Sequence, residues 1–340
     1  MNYQATALDY AYARQSLAAL TAKSWYLTIE TRQMVELATQ AVQIFEKLLA
    51  LATLRRDSGK DTDLNVADMK AQLAVARSQL ARARQNFGEA RRSLEILLGR
   101  YPAAEIKVAA SYPQLPPPAS AGVPASVLER RPDVIAAERI VLAAFRESEA
   151  ARLELLPEFS ATLSIGRLDN NVLSLLRINP WIATADIGTL IPIYEGGALR
   201  ANVRIANAQQ AEAVANYGAV VLTAFAEVEN ALANDQSLAT RLVQDQIALQ
   251  ERTEAVRIAT VQYLAGRRDL LWVSVLQTEQ LQAQAAVIQL RSLQGANRIR
   301  LYLALGGSFD PTPATTTESE EMPGFTRFTA AKFLSILALL

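Results

Sequence analysis

Residues 157–199 read PEFSATLSIGRLDNNVLSLLRINPWIATADIGTLIPIYEGGAL and differ from the Ala- and Leu-rich sequence on both sides. Two runs in this stretch alternate between apolar and polar residues, which is the pattern of β-strands with two different faces. The apolar members are Phe159, Ala161, Leu163 and Ile165 in the first run, and Ala183, Ala185, Ile187, Ile191 and Ile193 in the second. An isolated hairpin is marginally stable in water, and no other strands are predicted in this chain. We therefore expect the pair to join strands from elsewhere.

The composition limits the chemistry that the chain can carry. Its 340 residues include 34 basic and 34 acidic residues, so the formal net charge is zero and no nucleic-acid surface is indicated. The sequence contains neither Cys nor His, which excludes disulfides, thiolate or imidazole metal sites, and Ser–His or Cys–His catalysis. Carboxylates such as Glu227 and Glu229 lie on predicted helices and are expected to be solvated or to face a lumen. We expect no cofactor, no metal and no catalytic residues.

Long helices are predicted on both sides of the hairpin. Residues 2–55 contain neither Pro nor Gly, and residues 132–156 form a shorter helix that begins with a proline. Apolar residues recur at alternating steps of three and four over residues 66–97, a heptad pattern that predicts coiled-coil packing. Residues 198–264 are predicted to form one helix, which would be about 100 Å long because an α-helix rises about 1.5 Å per residue. No run of 18 apolar residues is present, so no transmembrane helix is expected.

The expected fold class is mainly α with a small β part. In order, the segments are a first helical repeat at 1–100, a Pro-rich linker at 101–131, a helix leading to the hairpin at 132–156, the hairpin at 157–197, a second helical repeat at 198–307 and an atypical tail at 308–340. The turns at the tips of the two repeats fall at 56–63 and 265–269. The tail contains PTPATTTESEE, whose composition predicts disorder.

The two helical segments are tandem copies of one another. Residues 52–99 align with residues 259–306 at a constant offset of 207, without insertion or deletion, and several of the aligned residues are identical. Gly59 matches Gly266 at the turn, and Gly99 matches Gly306 at the helix end. A hairpin precedes the second copy but not the first. We therefore expect that a first hairpin belongs upstream of the start of this chain; the alternative is that only one copy ever carried a hairpin.

Three motifs resemble TolC-like outer-membrane efflux proteins of the NodT/OprM branch. They are LERRPDVIAAE at residues 128–138, LIPIYEGG at 190–197 and VLTAFAEVENAL at 221–232. Residues 9–26 are similar to the first long helix of that family. The motifs stand in the order found in the family, and the resemblance extends over residues 5–307.

The resemblance implies the outer-membrane duct of a tripartite efflux system. Three copies would each give four strands to one closed β-barrel in the outer membrane, continued by a coiled-coil helical barrel in the periplasm. A periplasmic adaptor and an inner-membrane pump would supply small molecules to it. A membrane-spanning sheet has to close, so a chain with few strands has to oligomerise. With a single hairpin, the chain is expected not to close the barrel unaided.

In such a barrel, one face of the hairpin would meet outer-membrane lipid. The strand residues assigned to that face are Phe159, Leu163, Ile165, Ile187 and Ile193. The opposite assignment stays open, because Gly188 and Pro192 interrupt the pattern of the second strand.

The resemblance places the functional positions at the tip turns around Gly59 and Gly266, where the tunnel would narrow and meet the adaptor. The candidates by position are Asn65, Asp68, Trp272 and Val275 at the aperture, and Arg267 and Arg268 beside it. Trp272 and Val275 depart from the acidic or amide residues of the family. Trp272 could close the pore by packing or could form an ordinary contact between helices. The two arginines could contact the adaptor, bridge to carboxylates of the neighbouring helices, or be solvated.

A different class of protein would use the long helices alone. Such a chain would be a soluble coiled-coil scaffold or a protein that binds a membrane surface. The predicted strands and the Glu-Gly-Gly junction at residues 195–197 argue against it. Helical or disordered structure over residues 157–197 would favour it.

Overall fold

A computed structural model describes residues 2–115, 130–167 and 181–307, with side chains from residue 6 onward. The elements in these ranges are α1 (Asn2–Asp57), α2 (Asp63–Leu97), α3 (Pro132–Leu153), β1 (Glu158–Arg167), β2 (Trp181–Leu190), α4 (Ala198–Leu264) and α5 (Leu270–Ala304). This confirms the predicted fold class, mainly helical with one antiparallel hairpin. The expected tail and residues 116–129 of the expected linker lie outside the described residues.

The internal repeat is visible in the bounds of the helices. Helices α2 and α5 both contain 35 residues, and each begins and ends at the offset of 207 found in the sequence. Their N-cap residues, Thr62 and Asp269, are also repeat-related. The Thr62 side chain accepts a hydrogen bond from a backbone N–H of α2 at 3.3 Å, and the Asp269 side chain accepts one from a backbone N–H of α5 at 3.4 Å.

The same C-terminal motif ends α1 and α4. Gly59 and Gly266 have φ values of 67° and 69°, in the left-handed region that glycine adopts most easily. In both turns the glycine N–H donates to the carbonyl three residues back. The N–H of the next residue, Lys60 or Arg267, donates to the carbonyl five residues back. These two bonds form a Schellman motif, which satisfies the last carbonyls of the helix and stops it.

The chain divides into two compact units. One contains the N-terminal residues up to Asp9 together with Asp133–Leu222, and the other contains Tyr10–Pro132 and the residues from Thr223 onward. The division therefore falls inside α1 and α4 and not between the two sequence repeats.

The smaller unit carries the hairpin. Its two strands pair antiparallel in continuous register from Glu158 opposite Leu190 to Arg167 opposite Trp181. Every residue of both strands is exposed in the single chain. Helix α3 is held against α4 by Ser148, whose Oγ donates to an amide oxygen of α4 at 2.7 Å. The hairpin thus has a helical base but no partner for its strands within the described part of this chain.

The larger unit is held together by small apolar clusters between its helices. The cluster nearest the tip turns draws on all four long helices and consists of Ala52, Val66, Met69, Ala259, Tyr263, Leu270 and Val273. Repeat-related residues meet in it, since Ala52 corresponds to Ala259 and Val66 to Val273. The duplicated heptads therefore build a common core, as coiled-coil packing requires.

Helix α1 is the one described helix that is long and apolar enough to cross a membrane by composition. An 18-residue window within Thr6–Asp57 reaches a mean hydropathy of 1.2. The same helix buries Ala19 and Tyr26 against Ile299, and Phe45 against Leu73, in two separate clusters. Some of its apolar side chains are thus used for packing within the larger unit.

The described part of the predicted linker, residues 101–115, is irregular but firmly bonded to the helices. The buried carboxylate of Glu95 accepts from three consecutive backbone N–H groups, those of Ala104, Glu105 and Ile106, at 2.6–2.8 Å. Further along, Tyr112 stacks on Tyr26 with ring centroids 5.9 Å apart. Side chains of the helices thus provide hydrogen-bond partners for backbone groups of a segment that is not part of a β-sheet.

Candidate functional site

The two tip turns lie against each other at one end of the helical core. Turn 57–62 joins α1 to α2, and turn 265–269 joins α4 to α5. Asp61 is at the centre of the contact. Its Oδ2 accepts a hydrogen bond from the Tyr263 hydroxyl at 2.6 Å, and its Oδ1 accepts from the backbone N–H of Thr62 at 2.8 Å. A carboxylate of the first turn is therefore bonded to a phenol of the second helix pair.

Asn65 makes a second connection between the turns. Its Nδ2 donates to Oδ1 of Asp61 in a short hydrogen bond and to Oδ1 of Asp269 at 2.7 Å. Because Asp269 also caps α5, one amide group links the start of α2 to the start of α5. We call the hydrogen bonds that join Asp61, Asn65, Tyr263 and Asp269 the tip latch.

Arg55 adds a cation to the tip latch. Its guanidinium lies over the Tyr263 ring, with Cζ 4.6 Å from the ring centroid, and its Nη1 donates to the carbonyl of Leu264 at 3.3 Å. The cation–π contact fixes the ring whose hydroxyl reaches Asp61. Tyr263 is held from three sides: by the apolar core, by a cation and by a carboxylate.

Opposing effects set the protonation of the tip latch. Burial acts to raise the pKa of Asp61, but hydrogen bonds from Tyr263, Asn65 and the Thr62 N–H, with the nearby Arg55, hold it below the ordinary value. Burial, followed by the hydrogen bond to the Asp61 carboxylate, raises the pKa of Tyr263. The pair therefore consists of an ionised carboxylate and a neutral phenol near neutral pH, which is the combination that hydrogen-bonds best.

The structure separates the four candidates that the sequence assigned to the aperture. Asn65 is 6% exposed and its amide is used in the tip latch, while its place at an aperture stays a prediction. Asp68 is half-buried, and its Oδ2 has no hydrogen-bond partner among the described residues. Trp272 and Val275 are 49% and 43% exposed in the single chain.

The two arginines of the second turn are exposed. Arg268 lies near Trp272, with Cζ 5.9 Å from the ring centroid, which is at the outer limit of a cation–π contact. Among the described residues, neither Arg267 nor Arg268 forms an ion pair with a carboxylate of the neighbouring helices. Both side chains are placed where another molecule could reach them.

Sequence reasoning missed Asp61, Tyr263 and Arg55. The repeat contained a usable signal, because Asp61 aligns with Arg268, and Tyr263 aligns with Arg56. A position that is acidic in one copy and basic in the other, as Asp61 and Arg268 are, marks a place where the side-chain chemistry of the copies has diverged. Nothing in a one-dimensional pattern shows, however, that residues about 200 positions apart meet.

The hairpin register shows which residues share each of its two faces. Directly opposed residues of an antiparallel pair lie on the same face. Ala161 opposes Ile187 and Leu163 opposes Ala185, so the apolar members of both strands share one face. On the other face Ser164 and Thr184 share a hydrogen bond of 2.6 Å.

Ile193 is a correction to the predicted strand. Strand β2 ends at Leu190, and Ile193 lies in the irregular segment that follows it. Pro192 has no N–H to give to a β-ladder and restricts the residue before it, which explains why the strand ends earlier than the alternation suggested. The other four residues assigned to the lipid face, Phe159, Leu163, Ile165 and Ile187, lie in the strands and share one face of the hairpin.

Two of the sequence motifs are in contact. Arg131, from LERRPDVIAAE, is buried, and its Nη1 donates to Oε2 of Glu227, from VLTAFAEVENAL, at 2.7 Å. The same nitrogen donates to the carbonyl of Ala304 at 3.2 Å. Glu227, expected to be solvated or to face a lumen, is therefore the partner of a buried cation. Removing Glu227 would cost the buried Arg131 guanidinium its carboxylate partner, whereas the Glu227 side chain, 40% exposed, would remain accessible to water if Arg131 were removed.

The chemistry that these groups can perform is limited. Within the described ranges, no three His, Cys, Asp or Glu side chains come close enough together to hold a metal ion. The tip pairs hydrogen-bond donors with acceptors and holds two turns together. The hairpin offers an apolar face and unpaired strand edges.

Comparison with known proteins relates this geometry to relatives. The chain is 30% identical over 318 residues to the pyoverdine export outer membrane protein OpmQ of Pseudomonas putida, covering 92% of this chain and 66% of that protein. It is 31% identical over 308 residues to OpmQ of Pseudomonas aeruginosa, covering 90% of this chain and 64% of that protein. The chain therefore spans somewhat less than two thirds of the length of these relatives.

A solved structure has the same fold. The outer membrane protein VceC of Vibrio cholerae matches with a TM-score of 0.84 at 24% identity, covering 91% of this chain and 74% of VceC. In sequence, the family described as outer membrane efflux protein matches residues 1–100 and 123–307. This match includes both helical repeats and the hairpin between them. The chain belongs to the outer membrane efflux protein family.

Proposed function

We propose that this chain acts as the outer-membrane channel component of an efflux or export system, a passive duct and not an enzyme. The family match over both repeats supports this, as do the export roles in the names of the relatives. The observation that carries the proposal is the hairpin, whose strands are exposed along their whole length and which has one apolar face. Such a hairpin suits a bilayer and not water.

The hairpin also supports a homotrimer in the outer membrane. Both strands have an outer edge that is unpaired within the described chain, and unpaired backbone groups are not tolerated in lipid. Hairpins of neighbouring copies would pair with these edges as part of a closed barrel. Exposed apolar side chains along the helices, such as Leu17, Leu27, Val243 and Ile247, would be covered by the same neighbours.

The tip latch would hold the periplasmic end of the duct closed. Its hydrogen bonds join the α1–α2 turn to the α4–α5 turn, so the two turns separate only when Asp61 and Asn65 lose their partners. Bonds of this kind contribute about 1 kcal/mol each, or about 1.5–3 kcal/mol where a charged group takes part. A partner protein could supply that much on binding, which makes the latch suitable for controlled opening.

A periplasmic adaptor, itself linked to an inner-membrane pump, would contact the outer side of the tip. The exposed side chains there are Lys60, Leu64, Arg267, Arg268 and Trp272. Asp68 would remain as the acidic candidate near the aperture. The alternative of a soluble scaffold or a membrane-surface binder is less well supported, because residues 158–167 and 181–190 form strands.

The test combines assembly with membrane insertion of the full chain. In detergent, light scattering should give the mass of three chains, and circular dichroism should show strand as well as helix. Ile187→Arg places a charge on the apolar face, which costs about 2–4 kcal/mol at the bilayer midplane, and should abolish insertion into vesicles. Asp186→Arg, on the opposite face, is the matched control and should insert. Monomers without a strand signal, or equal insertion of both variants, would overturn the proposal.

A further inference from the structure

One pair of residues on the hairpin has no role in the function proposed above. Arg167 and Trp181 form the last described pair of the ladder. They lie at the end far from α3 and α4, because those helices join the strands at Glu158 and beyond Leu190. The guanidinium Cζ is 4.8 Å from the centroid of the indole ring, so the two groups are in cation–π contact.

The pair belongs to the apolar face of the hairpin. Residues two apart along a strand point the same way, so Arg167 follows Ile165, and Trp181 precedes Ala183, on that face. Arg167 is the one ionisable residue on this face within the described strands, whereas Glu158 and Asp186 lie on the other face. A single cation at the edge of an apolar surface calls for an anionic partner at the same level.

The position along the strand indicates the level in the membrane. Phe159 and Arg167 are eight residues apart, which is about 27 Å along a strand and about 20 Å along the normal of a sheet tilted by 35–45°. This is close to the apolar band of about 25 Å that outer-membrane barrels present to lipid. Arg167 would therefore lie where the acyl chains end and the headgroups begin.

We infer that Arg167, oriented by Trp181, binds the phosphate of an anionic lipid headgroup at the membrane surface remote from the helices. The guanidinium has a planar fork of N–H donors that matches a phosphate. A guanidinium that lies over an aromatic ring can keep N–H donors available to the lipid. An indole ring is well suited to the boundary between acyl chains and headgroups, because it is apolar apart from one polar N–H. The inference rests on the proposed function, which places the hairpin in a membrane.

Quenching by brominated lipids tests this in the full chain. The sequence contains three tryptophans, so Trp25→Phe with Trp272→Phe leaves Trp181 as the reporter. The vesicles contain equal amounts of phosphatidylglycerol and phosphatidylcholine, with bromine on the acyl chains of one lipid or of the other. Brominated phosphatidylglycerol should quench Trp181 more, with a local enrichment of about fivefold, as expected for one basic residue at an anionic surface.

Two variants assign the effect to the guanidinium. Arg167→Gln should make quenching by the two brominated lipids equal, and Arg167→Lys should keep part of the preference. Arg200→Gln, at an exposed arginine of α4, is the control and should keep all of it. Circular dichroism checks that each variant retains its strands.

The outcomes separate this inference from the proposed function. Equal quenching by both lipids in the parent chain, or an unchanged preference in Arg167→Gln, would overturn the phosphate site and leave a membrane-inserted hairpin. No quenching by either lipid would mean that Trp181 does not reach the bilayer, which would overturn the proposed function as well.

Discussion

Turns 57–62 and 265–269 share a backbone but differ in their side chains. Gly59 and Gly266 have φ values within 2° of each other and end their helices with the same pair of hydrogen bonds. Where the first turn has Asp61, however, the second has Arg268. Duplication preserved the backbone geometry of the turns, while their polar residues diverged.

Asn65 and its counterpart in the second copy, Trp272, also differ in their surroundings. Asn65 is buried and bonded to both turns, whereas Trp272 is half-exposed beside Arg268. One position in the repeat is thus buried in the first copy and half-exposed in the second. Equivalent substitutions in the two copies should therefore have unequal effects wherever the side chains differ, and equal effects wherever only the backbone matters.

The largest inequality is expected between Gly295 and Gly88, which are repeat-related. A Cβ on Gly295 would collide with the Tyr26 ring, while a Cβ on Gly88 would meet only the flexible Arg92 side chain at 3.5 Å. Gly295→Ala should lower the free energy of unfolding by about 3 kcal/mol through overpacking. Gly88→Ala should leave it unchanged or raise it by up to about 1 kcal/mol through helix propensity. Urea unfolding followed by circular dichroism measures both, and equal effects would contradict the packing described.

A smaller inequality is expected between Asp61 and Arg268. Asp61→Ala leaves the Tyr263 hydroxyl and the Asn65 amide without their shared acceptor, which should destabilise the tip by about 2 kcal/mol. Arg268→Ala removes only an exposed cation–π contact and should cost less than about 1 kcal/mol. Hydrogen exchange of the amides in both turns should therefore rise strongly in the first variant only. The reverse order would show that the tip latch does not stabilise the turns.

Equal effects are expected for the two turn glycines. Nothing lies within 4 Å of a Cβ built on Gly59 or Gly266, so alanine introduces backbone strain at positive φ without a clash. Each substitution to Ala should cost about 1 kcal/mol. Urea unfolding of the two single variants provides the measurement. A difference of more than about half of that cost would mean that the turns are not equivalent in backbone.

A change of pH near neutrality is expected to have the smallest effect on the stability of the tip. The lowered pKa of Asp61 gives a contribution to stability that is complete above the ordinary Asp value of about 3.9 and is lost as pH falls through the lowered value. The raised pKa of Tyr263 gives one that is complete below about pH 10 and is lost as pH rises through the raised value.

Amide exchange at the tip should accordingly show no inflection between about pH 5 and 9, after correction for the intrinsic rate. The Tyr263→Phe variant should lose the alkaline transition and keep the acidic one, because the Asn65 and Thr62 donors to Asp61 remain. An inflection near neutral pH in the parent chain would contradict the assignment of charges.

Much of this fold follows from local pattern. Alternation from Phe159 to Ile165 predicted the first strand, and the matched glycines predicted where the long helices stop. The second strand was extended too far because alternation ignores the missing N–H of Pro192. Local pattern carries less information about the site. The hydrogen bond between Asp61 and Tyr263 joins residues 202 positions apart and depends on how two helix pairs pack, which no spacing within one helix reveals.

The most direct test of the tip latch is a distance between the two turns. The chain contains no Cys, so Lys60→Cys with Arg267→Cys places two spin labels at repeat-related, exposed positions beside the turn glycines. Double electron–electron resonance, with the labelled chain diluted in an excess of unlabelled chain, should give one narrow distance distribution within the labelled chain. With Asp61→Ala and Asn65→Ala added, the distribution should broaden and shift to longer distances. An unchanged narrow distribution would show that the apolar core alone holds the tip together, which would contradict the role assigned to the latch.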